Sequence, residues 1–246
     1  GEDYVVVDTG DPIHHPYDAV IMAEDLLETG AEDEVEITAS VAAWQHIRPV
    51  GEDIVAGEMI LPSCHKIRPI DVGVLLSAGI TEIEVVKQPK VTIFPTGTEI
   101  IEPGEAITDG SIIESNTRMF EQMVIEQGGL AKRCPILEDI YEKILEEVKK
   151  AVAVSDMVII NAGSSAGRDD YTVHVLRELG EVLIHGVAIK PGKPVILAIV
   201  DKKPVIGLPG YPVSAYIAFE NFVSPVLAMM GQLPVKTNYE VPAVVS

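Results

Sequence analysis

The order of apolar and polar positions changes character near Pro89. Before it, apolar runs are short and closely punctuated. "YVVVDTGDPI" and "DAVIMAED" read as strands separated by turn residues. In "DEVEITAS", Val35 and Ile37 alternate with Glu34, Glu36 and Thr38, the pattern of a half-buried strand. "GEDIVAGEMILP" adds short strands bounded by glycine. "RPIDVGVLLSAGI" then shifts to helical spacing, with Ile70, Val74, Leu75 and Ala78 on one face and Gly79 as a stop. These patterns predict a small β domain and its link over 1–61, then a helical linker segment over 62–88.

From Lys90 onward β and α patterns alternate. "KVTIFPTG", "LAKRCPIL", "SDMVIINAGSSAG", "VILAIV" and "PVIGLPG" read as strands, with "DKK" as a tight turn between the last two. "SNTRMFEQMVIEQGG" reads as a helix capped by Asn116, with Met119, Phe120, Met123 and Val124 on its apolar stripe. "EDIYEKILEEVKKAVA" places Ile140, Ile144, Leu145 and Val148 on one face. "DYTVHVLRELG" and "PVSAYIAFENFVSPVLAMMG" complete the helices, the last with a core stripe of Tyr216, Phe219, Phe222 and Val223. The alternation predicts an α/β fold over 89–231, a three-layer domain around a mainly parallel sheet. Residues 232–246 read as the start of a further β domain. The chain opens at Gly1 and stops within an expected strand, the reading of a segment excised from a longer protein.

Composition narrows the function. The 246 residues are 47% hydrophobic and carry a net charge of −20. Non-specific binding of nucleic acid or an anionic membrane needs a basic surface, so neither is an expected partner. A small anion is still possible, because a local lysine pair or a helix start can hold one. Cys64 and Cys134 lie far apart with no metal-ligand spacing, which reads as a reduced cytoplasmic protein with small core cysteines. His14-His15 reads as a turn before Pro16, His185 as a strand residue, and Trp44 as filling a β-domain core or interface.

The chemistry concentrates in three loops that follow strands: "PTGTE", "NAGSSAGRDDYT" and "GLPGYPVSA". Ligands of open parallel sheets bind beyond the carboxyl ends of strands. Small residues there let backbone N–H groups approach a ligand closely. Thr96 and Gly97, Gly163, Ser164, Ser165 and Gly167, and Pro209, Gly210 and Ser214 are therefore expected to bind substrate. "KPGKP" adds Lys190, Pro191, Gly192 and Lys193 on one turn. No loop matches a P-loop or a G-x-G-x-x-G fingerprint.

In order and spacing, "PTGTEI", "IIESNTRM", "NAGSSAGRDDYT", "HGVAIKPGKP" and "GLPGYPVSA" resemble the molybdopterin molybdenumtransferase (MoeA) family. Upstream, "VVVDTGDPI", "YDAVIMAED" and "IRPVGEDIVAGEMIL" resemble that family's small β domain and link. The resemblance implies a module folded like molybdopterin adenylyltransferase. It implies insertion of molybdate into adenylylated molybdopterin with release of AMP, in a cytoplasmic homodimer, with molybdopterin adenylyltransferase as the upstream partner. Residue by residue, it sets Lys190 and Pro191 beside molybdate, and Ser165 and Asp170 against the adenylylated substrate. Glu99 and Asp53 match acidic positions of the cleft. Asp170 and Glu99 are expected to place Mg²⁺ on the phosphate anhydride, directly or through water.

The chain departs from the family at informative places. Thr98 stands where "TGDE" has a carboxylate, Ala162–Gly167 stand for "GGVSVG", and Tyr211 replaces the Asn of "GNPVSA". Tyrosine there resembles a subgroup fused to a ligand-binding domain of periplasmic or LysR type. The family's N-terminal "MDGYA" segment and most of its C-terminal β domain are missing from the sequence, so little transferase activity is expected of the chain alone. Two other functions stay open: a molybdopterin or oxyanion sensor without turnover, and a CinA-like nucleotide pyrophosphate hydrolase.

Overall fold

The structure, a computed structural model, describes residues 3–31, 34–162, 171–234 and 242. The chain divides into two compact units, one of residues 1–62 with 68–81, the other of residues 63–67 with 82–246.

In the first unit regular structure is sparse. A short 3₁₀ turn, Ala23–Asp25, precedes the antiparallel pair β1 (Leu26–Glu28) and β2 (Val35–Ile37). The strands expected in "YVVVDTGDPI", "DAVIMAED" and "GEDIVAGEMILP" do not form: these stretches are irregular chain, apart from the 3₁₀ turn that ends the second. An apolar run becomes a strand only when a neighbour takes up its N–H and C=O groups. Here Gly, Pro and Asp cut each run before a ladder can form, and Tyr4, Val5, Val6 and Met22 are exposed. β2 is a strand as expected, but Val35 and Ile37 are exposed rather than half-buried. Trp44 is 64% exposed and fills no core.

Helix α1 (Pro69–Ser77) follows its sequence signals closely. Proline occupies the first helical position, and the Asp71 carboxylate accepts the Arg68 backbone N–H at 2.8 Å. Gly79 takes φ +76°, and the Ile80 N–H closes the end on the Leu75 carbonyl. Val74, Leu75 and Ala78 are half-buried, whereas Ile70 is exposed.

The second unit is built on a six-stranded sheet. Its strands are β3 (Lys90–Pro95), β6 (Leu130–Arg133), β7 (Met157–Ala162), β8 (Glu181–His185), β9 (Ile196–Val200) and β10 (Lys203–Pro209), ordered β6-β3-β7-β10-β9-β8. Two two-residue strands, β4 (Ile100–Ile101) and β5 (Ile112–Ile113), form a separate parallel pair. β6, β3, β7 and β10 run parallel, β9 runs antiparallel to both its neighbours, and β8 resumes the common direction. Asp201 and Lys202 turn the β9–β10 hairpin with positive φ at both positions, as a tight hairpin with right-handed twist requires.

Helices cover both faces. Helix α2 (Asn116–Glu126) and the continuous helix Pro212–Met230 enclose one layer of core with Val91, Ile93, Met157, Ile159, Ile206 and Leu208. That long helix comprises α5 (Pro212–Ala218), a π turn (Phe219–Val223) and α6 (Ser224–Met230). Phe120 stacks on Phe219 with centroids 5.3 Å apart. Helices α3 (Tyr141–Val154) and α4 (Tyr171–Leu179) enclose the other layer with Phe94, Val158, Ile160, Ala198 and Val205. Alternate residues of each central strand serve opposite faces, so these strands read as continuous apolar runs. The helix Pro212–Met230 is long and apolar enough to cross a membrane, but Ala215, Ala218, Phe219, Val223 and Leu227 are fully buried in this core. Cys134 is half-buried against the second layer, whereas Cys64 is exposed and bonds Gln232, so only the first is a core cysteine. The sheet and its two helical layers are those expected from the alternation.

Candidate functional site

The order β3-β7-β10 brings three parallel strand ends side by side. Pro95 pairs with Asn161, and Ala162 with Pro209, so the three strands finish along one rim. Asn161 ties that rim together. It is the polar residue in the apolar run "MVIINA" and is 3% exposed. Its side-chain amide donates to the Pro209 carbonyl at 2.7 Å and accepts from Asn116 at 3.1 Å. Asn116 also donates to the Gly210 carbonyl at 2.6 Å. The Asn161 carbonyl accepts from the Thr96 N–H at 2.9 Å and from its hydroxyl at 3.3 Å. The ends of β3, β7 and β10 and the start of α2 thus share one buried hydrogen-bond network. The sequence reading made Asn116 the cap of α2; instead Ser115 precedes the helix, and the Glu114 carboxylate accepts the Thr117 N–H at 2.7 Å.

Beside the network is a pocket of about 250 Å³. Ile100, Ile112, Ile113, Tyr211 and Pro212 give it apolar walls, and Glu99, Glu114, Ser115, Asn116, Asn161 and Gly210 complete the lining. Glu114 is engaged in a ring of charges. Arg118 donates to Glu114 at 2.5 Å and to Glu102 at 2.6 Å, and Arg133 donates to Glu102 at 3.2 Å. The Arg118 hydrogen bond holds the Glu102 carboxyl below its ordinary value of 4.5, with Arg133 adding to the effect against partial burial. Glu99 makes no ion pair or side-chain hydrogen bond with another described residue. Gly97, at φ +147°, passes so close that a Cβ there would lie 2.9 Å from the Glu99 carboxylate. The positive φ is what favours glycine at this position.

The lysine turn reaches the same rim by another route. β8 and β9 pair antiparallel with His185 opposite Ile196, and Ile196 pairs in turn with Gly207. Residues 186–195 are therefore a hairpin loop at the end of the sheet where β10 finishes. The Val187 N–H bonds the Lys193 carbonyl at 2.8 Å, closing the loop. Gly192 is buried at φ +109°, and a Cβ there would come within 3.5 Å of the Ser214 carbonyl. The turn thus packs against the first turn of α5. Lys190, Pro191 and Lys193 are exposed, and neither lysine makes an ion pair with a described residue.

Of the residues singled out by sequence, Glu99 and Gly210 line the pocket. Thr96 and Pro209 are buried in the network beneath it, and Ser214 lies at the lysine turn. Lys190, Pro191, Gly192 and Lys193 share the rim but do not line the pocket. Gly163, Ser164, Ser165, Gly167 and Asp170 lie outside the described residues. Asp53 belongs to the first unit, where it is exposed and bonds Arg48 at 2.5 Å. Sequence reasoning passed over Glu114 and Asn161. A polar residue closing an otherwise apolar strand was the available signal for Asn161; Glu114 gave none, because its charge looks solvated until Arg118 and Arg133 fold beside it.

Among the described residues no group of three or more His, Cys, Asp or Glu side chains is arranged to hold a metal ion. With Glu114 engaged, Glu99 is the carboxylate in the pocket lining left open to a cation. One carboxylate is a donor set that fits Mg²⁺ shared with substrate phosphates and water, rather than a cage made by protein alone.

Known proteins match both units. Residues 92–229 match the family described as a probable molybdopterin binding domain, and residues 1–79 match the MoeA N-terminal region, domains I and II. A Methanocaldococcus jannaschii protein named for molybdopterin biosynthesis is 35% identical over 94% of this chain and 60% of its own length. The molybdopterin molybdenumtransferase of Staphylococcus aureus is 32% identical over 92% of the chain and 54% of its own. The crystal structure of the molybdopterin biosynthesis MoeA protein from Pyrococcus horikosii superposes with a TM-score of 0.72, at 34% identity, over 87% of this chain and 53% of that one. The chain thus spans little more than half the length of these relatives. With its strand-end rim matched within residues 92–229 and a MoeA N-terminal region before it, the chain belongs to the molybdopterin-binding family of MoeA-type proteins.

Proposed function

We propose that this chain supplies the substrate-holding part of a molybdopterin molybdenumtransferase, which inserts molybdate into adenylylated molybdopterin and releases AMP. The observation that carries this reading is the meeting, at one rim, of three parallel strand ends and the hairpin turn bearing two lysines that make no ion pair with a described residue. A reaction joining an oxyanion to a substrate with a phosphate anhydride must gather several negative charges. Backbone N–H groups and lysines beyond strand ends can hold them. Lys190 and Lys193 are compact charges on flexible stems, suited to molybdate beside Pro191. The loop with Gly163, Ser164, Ser165, Gly167 and Asp170 continues from β7 and would take the adenylylated end of the substrate.

Glu99, with Asp170, would hold Mg²⁺, which when bound would withdraw charge from the anhydride as the bond to AMP breaks. The chain's own residues supply orientation: Asn161 and Asn116 fix the loops, and the Glu102–Arg118–Glu114–Arg133 ring fixes the wall beside them. A homodimer, a cytoplasmic setting and delivery of substrate by molybdopterin adenylyltransferase follow from the same reading.

The test is AMP release from adenylylated molybdopterin on adding molybdate. It is run with this chain alone and with the chain joined to segments completing its relatives' length. The longer protein should release AMP and the chain alone little. Lys190→Ala in the longer protein should lower release at limiting molybdate by about tenfold, the order of one lost electrostatic contact, with melting unchanged. Substrate binding without AMP release from the longer protein would replace the transferase with a sensor, and release indifferent to Lys190 would remove the lysine turn from the site.

A further inference from the structure

The described pocket and the lysine turn share a rim but differ in chemistry. Among the described residues no lysine or arginine lines the pocket, whose charged members there are Glu99 and Glu114. A phosphate or molybdate would meet carboxylates there, so the pocket suits another part of the substrate. Its hydrogen-bonding capacity is also largely spent. Asn161 and Asn116 bond one another and the Pro209 and Gly210 carbonyls, and Glu114 serves Thr117 and Arg118. What remains open among the described lining side chains is the Glu99 carboxylate, an acceptor, beside the small Ser115 hydroxyl.

The walls are more telling. Tyr211 is 77% exposed although it lines a pocket, and its side chain makes no hydrogen bond or ring contact with another described residue. Ile112 and Ile113, 58% and 44% exposed, line the same pocket. Tyr211 is also held still. It precedes Pro212, which confines it to extended backbone, and it takes φ −69° and ψ 128°. Its carbonyl accepts the Ala215 N–H at 2.8 Å, which anchors it to the first turn of α5. An aromatic ring on fixed backbone, sharing one pocket with branched aliphatic side chains and an acceptor carboxylate, is a surface for a flat ring bearing N–H donors.

The geometry points to Tyr211 as the stacking wall of a subsite for the planar heteroaromatic ring of the substrate, with Ile112 and Ile113 as its other side and Glu99 receiving ring N–H groups. This rests on the proposed substrate, which carries two such rings, a pterin and an adenine. The experiment distinguishes them. 6-Hydroxymethylpterin and AMP are titrated separately into this chain and into its Tyr211→Phe, Tyr211→Leu and Tyr211→Ala variants, by pterin fluorescence and by calorimetry. At least one ring should bind the unaltered chain. Phe should hold it within about twofold, and Leu and Ala should weaken it by about fivefold or more, the range for a lost base–aromatic stack. The probe that shows this dependence identifies the ring. Thermal melting should be the same in all four proteins; if Ala lowers it, Leu against Phe makes the comparison at similar bulk. Failure of both rings to bind, or Leu binding as tightly as Phe, overturns the subsite. Should that happen while the longer protein still releases AMP with molybdate, the transferase reading survives; ring binding that depends on Tyr211 without AMP release has the opposite meaning.

Discussion

The two units of this chain bury their apolar residues to very different extents. In the second, strands β3, β7 and β10 are covered on both faces, and side chains such as Ile93, Phe94, Ile159, Ile160 and Leu208 are sealed from solvent. In the first, Asp71 is the one buried side chain among the described residues, and Val6, Val50 and Met59 are largely exposed. Apolar runs therefore mean different things on either side of Pro89. Where helices cover a sheet, burial forces the pattern and the pattern reports the fold. Where nothing covers a run, the same residues carry little structural information.

The contrast can be broken at three levels. Phe219→Ala removes a fully buried ring stacked on Phe120, and should cost about 3–5 kcal/mol in urea unfolding of the second unit. Val50→Ala in the first unit should change stability by no more than about 0.5 kcal/mol. Equal effects would mean the two units do not differ as described. Asn161→Ala leaves the Pro209 carbonyl and the Asn116 amide short of partners, and should cost about 1–3 kcal/mol. The first unit's nearest counterpart, Asp53→Asn, breaks only an exposed pair with Arg48 and should stay within about 1 kcal/mol. Melting temperatures of the two variants make the comparison.

The smallest effect concerns acid. The folded-state pKa of Glu102 lies below its ordinary value of 4.5 because Arg118 bonds the charged form. The stability it contributes is therefore complete above about pH 4.5 and disappears as pH falls through the lowered folded value. Glu102→Gln should lower the melting temperature slightly at pH 7. It should also flatten the decline seen on acidifying below pH 4.5. A decline of unchanged slope would show that the Glu102–Arg118–Arg133 ring takes no part in it.

How much was readable in advance follows the same division. β3, β7, β9, β10 and the four helical patterns after Pro89 stand out because their periods are enforced by a core. Gly79 and Gly128 mark helix ends through their positive φ. The convergence of "PTGTE" and "GLPGYPVSA" was implied by parallel strands, because such loops leave a sheet on one side. What could not be read depends on contacts distant in the chain. Asn116 looked like a cap, yet its amide reaches Gly210, 94 positions away. Nothing in the sequence pairs Glu102, Glu114, Arg118 and Arg133, up to 31 positions apart, which meet as a ring in the fold. In the first unit, alternation in "DEVEITAS" predicted a strand correctly and its burial incorrectly, since alternation says which side a residue takes and not whether anything covers that side.

One reversed strand has a consequence for how such a site can change over time. Were β9 parallel like β6, β3, β7 and β10, the segment between it and β8 would have to cross the sheet as a helix and pack into a core layer. Because β9 runs the other way, Lys190 and Lys193 hang on a simple hairpin. The exposed positions 190, 191 and 193 can be exchanged without repacking the interior, while Gly192 and Val195 hold the loop to it. The cationic side of the rim is free to drift toward a new anion while the asparagine-tied side stays as it is.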